Sequence, residues 1–179
     1  MIYRSTRSKI CCSSPEAILS GIAPDGGLFL PESLSFPEFS WEKAVDLDFY
    51  GIAREVLFTL FPEFGKEKVE ELVKKAYEGK FAAPDLCPTV PVGDRFVLEL
   101  FHGPTCAFKD VALSVLPHLM GASRSHLGVT EEIVILTATS GDTGKAALCG
   151  FCDVEGTKIL VFYPHGGVSC VQRDRKSVV

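Results

Sequence analysis

Two short segments carry the residue types best suited to chemistry, and the first is centred on a lysine. Lys109 lies between Ala107-Phe108 and Val111-Ala112-Leu113, in a segment that is apolar on nearly every side. Loss of water and a nearby helix N-terminus both disfavour the ammonium form, so they would lower the pKa of this amine. Such an amine is a nucleophile that forms Schiff bases. The alternative is an ordinary surface lysine with a solvated side chain.

The second segment follows a β-branched run from Ile133 to Thr137, which is typical of a strand. Glycines there let the backbone approach a ligand, and hydroxyls can hydrogen-bond a carboxylate or phosphate. A helix N-terminus after the loop adds unpaired N–H groups. The alternative is an ordinary strand-to-helix turn capped by Ser or Asp. The loop consists of Thr139, Ser140, Gly141, Asp142, Thr143 and Gly144.

Other site types find less support in the sequence. Gly144-Lys145 resembles the end of a nucleotide phosphate loop, but the motif fails at two positions. Thr139 stands where the loop needs its first glycine, and Ala146 stands where it needs a Ser or Thr hydroxyl for magnesium. A dinucleotide site is excluded as well, because no Gly-x-Gly precedes the loop. Cys149-Gly150-Phe151-Cys152 lies near the far end of a predicted helix, away from the dipole that activates redox thiols, and no second ligand pair stands at zinc spacing. We therefore expect packing roles for these cysteines and no metal.

Composition limits the class of protein and its partners. The chain has 179 residues, 46% of them hydrophobic, which is enough for one core or for a small domain against a second. Its net charge of −5 and lack of a basic run argue against nucleic acid as a partner. No apolar run is long enough for a secretory signal or a membrane span. Seven cysteines, an odd number, predict no disulfide framework, so a cytoplasmic location is expected.

The elements that position the two segments follow from periodicity. The first thirty residues predict an irregular start with short strands and a short helical stretch. Amphipathic helices are predicted from Asp48 to a stop at Pro62, and from Lys66 to a stop at Gly79. After a loop and a turn at 91–94, residues 95–101 predict a strand.

The second half predicts a strand, helix and strand unit. A helix is expected over 107–120, kinked or divided by Pro117, and a polar loop over 123–126. A buried strand at 133–137, a helix over 145–154 and a strand at 158–163 then form one βαβ unit. Such a unit predicts a parallel sheet with a right-handed crossover.

Four motifs, in order along the chain, resemble the threonine synthase family. One surrounds Lys109 and another is the glycine loop. They are Glu99 to Asp110, Thr137 to Gly144, Tyr3 to Arg7 with Ala23 to Phe29, and Tyr163-Pro164 with Gly166 to Ser169.

This resemblance implies an α/β fold with two domains. An irregular α+β N-terminal domain would span 1–90, and residues 91–179 would be the first part of a parallel-sheet pyridoxal phosphate domain. That domain is of fold-type II, the class of the tryptophan synthase beta chain. Because family members are much longer, the chain is expected to be truncated. Uncovered apolar faces then predict self-association, or a requirement for the missing C-terminal half.

The resemblance also implies a reaction in threonine biosynthesis. The family's pyridoxal phosphate-dependent lyases convert O-phosphohomoserine and water to threonine and phosphate. Lys109 would hold pyridoxal 5'-phosphate as an internal aldimine and then move protons at the substrate, with Phe108 also at the cofactor. Thr139, Ser140, Gly141, Asp142, Thr143 and Gly144 would bind the substrate. Two alternatives stay open: another fold-type II enzyme acting on a serine, threonine or cysteine precursor, and a non-catalytic relative that binds a phosphorylated amino acid.

Overall fold

The computed structural model describes residues 1–33, 41–139 and 141–166. The described chain divides into two compact units. Unit 1 contains Met1–Lys74 with Leu119–Thr130, and unit 2 contains Lys75–His118 with Glu131–Val179. The domains predicted at 1–90 and 91–179 follow from the family resemblance and not from the compactness of these units, so they stay a prediction. Ser140 and the motif residues Gly167 to Ser169 lie outside the described residues.

Unit 1 begins with a small antiparallel sheet, which confirms the predicted short strands. Its strands are β1 (Ile2–Ser5), β2 (Cys11–Ser13) and β3 (Phe29–Pro31), in the order β2-β1-β3. Ser5 Oγ donates to the Asp25 carboxylate at 2.8 Å, and that carboxylate also accepts from Gly27 N at 2.9 Å. A side chain at Gly27 would begin 2.1 Å from Ser5 Oγ, so only glycine fits. The two halves of the N-terminal motif therefore form one packed turn.

The helices of unit 1 begin and end at residues that the sequence marks. Helix α1 (Ser14–Ser20) starts with a capping box between Ser13 and Glu16. A short helix, α2, spans Trp41–Ala44. Helix α3 (Phe49–Leu60) is capped by Asp48 and stops before Pro62, and α4 (Lys66–Tyr77) follows. Both predicted amphipathic helices are confirmed, because capping side chains and proline act locally.

Glu63 ties three parts of unit 1 together. Its carboxylate pairs with the Met1 ammonium and accepts a 2.6 Å hydrogen bond from Ser14, whose side chain is fully buried. Burial alone would raise the pKa of Glu63, but these hydrogen bonds hold the pKa below its ordinary value. The ionised carboxylate therefore stabilises the folded state above the ordinary carboxyl pKa of 4.5, and this contribution disappears as the pH falls through the lowered value.

Replacing Glu63 with glutamine is expected to lower the free energy of unfolding by about 1–2 kcal/mol at pH 7. The variant should also lose less stability than the parent on acidification, because the titrating group is gone. Urea unfolding at pH 7 and pH 4 measures both effects. Glu55→Gln, at an exposed position of α3, is the matched control and should change little. Equal acid sensitivity of parent and Glu63→Gln would contradict the assignment.

Unit 2 opens with a hairpin of β4 (Thr89–Val92) and β5 (Arg95–Leu98). The predicted strand at 95–101 is therefore shorter, and the predicted turn narrows to Gly93-Asp94, with Gly93 at φ +64°. Register explains the early end of β5. Leu98 pairs with Thr89, and Glu99 N still donates to the Pro88 carbonyl at 2.9 Å. Pro88 has no amide N–H to donate in return, so the pairing ends there.

Helix α5 spans Asp110–Leu127, which corrects the sequence prediction at both ends. Residues 107–109 form a turn rather than helix, and the predicted polar loop at 123–126 is helical. The buried Ser123 hydroxyl donates to the Leu119 carbonyl at 2.8 Å, so its polar group is satisfied inside the helix. Arg124 donates to the Thr130 carbonyl just beyond the helix end. Polar residue type misled the prediction, because the Ser123 hydroxyl is bonded within the helix and the Arg124 side chain is bonded just beyond its end.

Pro117 does not divide α5. A proline cannot donate to the carbonyl four residues earlier, which here belongs to Leu113. Gly150 lies against that carbonyl, since a β-carbon at Gly150 would be only 2.1 Å from the Leu113 oxygen. The backbone of a neighbouring helix thus covers the group that the proline leaves without an intrahelical partner.

The predicted βαβ unit is confirmed. Strands β6 (Ile133–Ala138) and β7 (Thr157–Phe162) pair in parallel, with α6 (Asp142–Phe151) between them. The helix starts and ends three residues earlier than predicted. The strand at 133–137 was expected to be buried, but only one face of the two-stranded sheet is partly covered. The other face exposes more than half of each of four apolar side chains: Val134, Leu136, Leu160 and Phe162. Among the described helices, none is long and apolar enough to cross a membrane.

Candidate active site

Lys109 lies in unit 2 on the turn that leads into α5. Its carbonyl accepts from Leu113 N at 2.8 Å, so its backbone belongs to the first helical turn. The side chain is half-buried, and its Nζ lies 4.8 Å from the centre of the Phe108 ring. Phe108 itself is 61% exposed. The predicted pair is thus adjacent, with the amine against an aromatic ring and in reach of a ligand from outside the turn.

A buried carboxylate fixes the turn on both sides of Lys109. Asp110 is only 2% exposed, and its two oxygens accept from Thr105 N at 2.8 Å and from Thr105 Oγ1 at 2.5 Å. Gly103 packs so closely that a β-carbon there would be 2.4 Å from the carboxylate. Because both carboxylate oxygens and both Thr105 donors are bonded, the backbone from 105 to 110 is closely constrained.

The glycine loop lies at the carboxyl end of β6, as predicted. Thr139 N donates to the Phe162 carbonyl at 2.9 Å, and Thr139 Oγ1 accepts from Gly141 N at 3.2 Å. Gly141 is the N-cap of α6, and among the described residues no side chain caps this helix. Its first N–H groups are therefore free to bind an anion or a carbonyl oxygen.

The other loop residues divide into two environments. Asp142 and Thr143 are exposed in the first turn of α6, where their polar groups face solvent. Gly144 is buried, and a β-carbon there would lie 2.0 Å from Thr139 Cγ2 and 3.0 Å from Val161 Cγ1. Close packing of the helix on the strand ends thus requires glycine at 144. The sequence prediction had given this residue to substrate binding.

A lysine links the two predicted segments. Lys145 Nζ, from α6, donates to the Thr105 carbonyl at 3.3 Å. The turn that carries Lys109 and the helix that follows the glycine loop are therefore joined by a direct hydrogen bond within unit 2. Two segments that are thirty residues apart in sequence lie side by side.

Three titratable groups of unit 2 have pKa values shifted in the direction that favours the neutral form. Burial, with the charges of Lys80 and Lys75, lowers the pKa of His118, whose Nε2 is buried without a hydrogen-bond partner among the described residues. Burial and the Asp110 carboxylate raise the pKa of the Cys149 thiol, and a hydrogen bond with Asp153 raises that of Cys152. These directions oppose thiolate formation and so argue against a redox role, whereas Cys149 is exposed and the predicted packing role stays a prediction. No group of three or more metal-ligating side chains occurs among the described residues.

Sequence reasoning missed Thr105, Asp110 and Lys145 as members of the site. Asp110 follows Lys109 directly and Thr105 precedes it by four residues, so a hydroxyl and a carboxylate flanking the lysine were visible signals. Lys145 gave no such signal, because its partner is a backbone carbonyl forty residues away.

Comparison with known proteins shows which proteins this sequence is similar to. The family model described as "Threonine synthase N terminus" matches residues 2–77. A threonine synthase from Eremothecium gossypii is 35% identical over 195 residues, and one from Pseudomonas aeruginosa is 36% identical over 185. These matches cover 99% and 100% of this chain, and 38% of each relative. The Mus musculus protein "Threonine synthase-like 1" is 36% identical, covering 88% of this chain and 22% of that protein.

Solved structures agree with the sequence matches. The chain superimposes on pyridoxal phosphate-bound threonine synthase from Brucella melitensis with a TM-score of 0.87 at 39% identity, covering 98% of this chain and 38% of that one. Yeast threonine synthase gives a TM-score of 0.88 at 32% identity, with 99% and 38% covered. The chain belongs to the threonine synthase family. The predicted resemblance is thereby confirmed, and the chain spans about 38% of the length of these threonine synthases.

Proposed function

We propose that this chain supplies the lysine and the substrate loop of a threonine synthase. The reaction is the lyase step of threonine biosynthesis in which O-phosphohomoserine and water give threonine and phosphate. Phosphate leaves the γ-carbon and water adds at the β-carbon, so the atoms balance without an external oxidant or reductant. The single observation that carries the proposal is the Lys145 to Thr105 hydrogen bond, which joins the two segments needed for this chemistry.

The residues around Lys109 fit pyridoxal phosphate. An accessible primary amine stands beside an exposed aromatic ring, and α6 offers backbone N–H groups that no described side chain caps. Lys109 would hold the cofactor covalently through its amine, with Phe108 beside it. When bound, the cofactor supplies an electron sink that stabilises negative charge on the substrate carbons. The fold-type II architecture belongs to this proposal, and it is supported by the likeness to a pyridoxal phosphate-bound threonine synthase.

The chain's own residues would divide the work in three ways. The Lys109 amine takes a proton from the substrate α-carbon and returns protons at neighbouring carbons, since an amine can act as both base and acid. Thr139 and Thr143 orient the substrate through their hydroxyl groups, and Ser140 is assigned with them from the sequence. Gly141, whose N–H is bonded to Thr139 Oγ1, sets the shape of the loop at the substrate. Asp142, a poor direct partner for an anion, serves the architecture of the loop. Gly144 allows the loop to sit against the strand ends.

Cofactor attachment provides the direct test. The chain is mixed with pyridoxal phosphate, reduced with borohydride and digested, and the adduct is located by peptide mass spectrometry. We expect one adduct per chain, at Lys109, and the same result for Lys158→Ala, whose lysine pairs with Glu132 on the surface. Scattered labelling, or an adduct at a different lysine, would contradict the assignment. Phosphate and threonine formed from O-phosphohomoserine are measured in parallel.

A second candidate is a non-catalytic relative that binds a phosphorylated amino acid. Matches to proteins named "Threonine synthase-like 1" support this second candidate, because that name states a likeness and not an activity. Binding of O-phosphohomoserine without phosphate release, equally tight in Lys109→Ala, would support this candidate. Loss of both the adduct and the turnover in that variant would support the synthase. The cytoplasmic location stays a prediction under either candidate.

A further inference from the structure

We propose that Lys145 is a positioning residue that sets where Lys109 stands relative to the glycine loop. Its ammonium fastens α6 to the Thr105 turn, and the Thr105 to Asp110 hydrogen bonds pass that constraint to the neighbouring Lys109. We call Thr105, Asp110 and Lys145 the clasp. The proposed function supplies the reason that the position of Lys109 matters, whereas the clasp itself rests on hydrogen bonds of this chain.

Thr105 is the centre of the clasp, because its three polar atoms are all bonded. Its carbonyl accepts from Lys145 Nζ at 3.3 Å, and its N–H and hydroxyl donate to Asp110 at 2.8 and 2.5 Å. Thr105 is 4% exposed and Asp110 is 2% exposed, so water does not compete freely for these groups. A displacement of Thr105 would therefore displace Asp110, to which Lys109 is directly bonded in the chain.

Helix α6, which carries Lys145, packs closely against its neighbours at both of its ends. At its start, Gly144 leaves no room for a β-carbon against Thr139 and Val161. At its end, Gly150 leaves no room against the Leu113 carbonyl of α5. Lys145 lies between these two close approaches, so its backbone is on a stretch of helix that packs tightly at both ends. The ammonium thus connects a fixed helix to the turn that carries Lys109.

The residue type at 145 also indicates a specific contact. The helix dipole disfavours a positive charge in the first turns of a helix, so the Lys145 ammonium does not stabilise α6 itself. The half-buried Lys145 offsets this cost by donating to a buried carbonyl. Its four-carbon stem reaches the turn while its own backbone stays in the helix.

The test measures how reactive the Lys109 amine is, with and without the clasp. Parent, Lys145→Met and Lys145→Arg are treated with limiting acetic anhydride, and acetylation of each lysine is followed by peptide mass spectrometry. In Lys145→Met we expect the acetylation rate of Lys109 to rise about fivefold. The reason is that one hydrogen bond, worth about 1 kcal/mol, no longer holds the turn that carries Lys109 against α6. Lys145→Arg keeps a donor and should return the rate to within about twofold of the parent. Lys158→Met, which removes a surface pair in the same unit, is the matched control and should leave Lys109 unchanged.

Two further measurements separate positioning from stability. Urea unfolding of each variant shows whether the whole chain has weakened, and the rates at other lysines show whether the change is confined to Lys109. Asp110→Asn removes the charge of the clasp at constant size and should raise the Lys109 rate at least as much. Unchanged Lys109 rates in both Lys145→Met and Asp110→Asn would overturn the proposal, as would an equal rise at every lysine. A selective rise at Lys109 supports it, and does so even where the parent takes no pyridoxal phosphate at Lys109 and the proposed function fails.

Discussion

Lys109→Ala is expected to abolish threonine formation while leaving the fold intact. A nucleophilic amine cannot be replaced by a methyl group, so phosphate release should fall by a factor of at least about 10³. The borohydride-stabilised adduct should disappear with it. Stability should change little, because the Lys109 side chain is half-buried and its ammonium contacts the ring of Phe108, itself an exposed residue. Phosphate release from O-phosphohomoserine, adduct mapping and urea unfolding measure the three effects.

The control for this experiment is another lysine of unit 2. Lys158→Ala removes a surface ion pair with Glu132, at 64% and 54% side-chain exposure, and should keep parental turnover. Turnover by Lys109→Ala within about tenfold of the parent would remove this amine from the mechanism. Lost turnover together with a collapsed unfolding transition would instead show that the residue is needed for folding.

Gly150→Ala is expected to destabilise the protein by about 2–3 kcal/mol. The new β-carbon would lie 2.1 Å from the Leu113 oxygen and 2.9 Å from its carbonyl carbon. Both atoms are backbone, so no side chain can rotate away and the two helices must separate. Alanine has the higher helix propensity, which by itself would raise the free energy of unfolding by up to about 1 kcal/mol. A net decrease in the free energy of unfolding must therefore come from the clash. Urea unfolding followed by far-UV circular dichroism gives the value.

Gly121→Ala is the matched helical control. Gly121 lies in α5, and a β-carbon there meets nothing within 4 Å. The same propensity gain is therefore expected without a clash, with stability raised by about 0.5–1 kcal/mol. Equal effects of the two substitutions would show that the close contact at Gly150 is absent in solution.

Local signals predicted much of the fold correctly. Asp48 and Pro62 bound α3, and the β-branched strands around the glycine loop gave the parallel unit. The loop after β6 was predicted because strand, turn and helix follow directly in sequence. Each of these features depends on residues within a few positions of one another. Capping, proline geometry and strand alternation act over that range.

Features that depend on distant partners were not predictable in the same way. Helix α5 continues through Ser123 because that hydroxyl bonds the Leu119 carbonyl in a buried position. Pro117 leaves α5 whole, with Gly150 of another helix against the Leu113 carbonyl. Strand β6 was predicted to be buried although one of its faces is exposed, because an apolar run does not reveal whether a second layer covers it.

By itself the sequence predicted the family, and it proposed Lys109 and the glycine loop as the candidate site, since residue type and order carry motif information directly. Only the tertiary structure decided how the two motifs meet. Lys145 donates to Thr105, and Asp110 closes the turn beside Lys109, through hydrogen bonds between backbone and side-chain atoms. Such bonds follow from how α5, α6 and the strand ends pack, and a carbonyl acceptor can belong to any residue type. The residues therefore suggested the candidate chemistry, whereas the geometry of the candidate site came from packing.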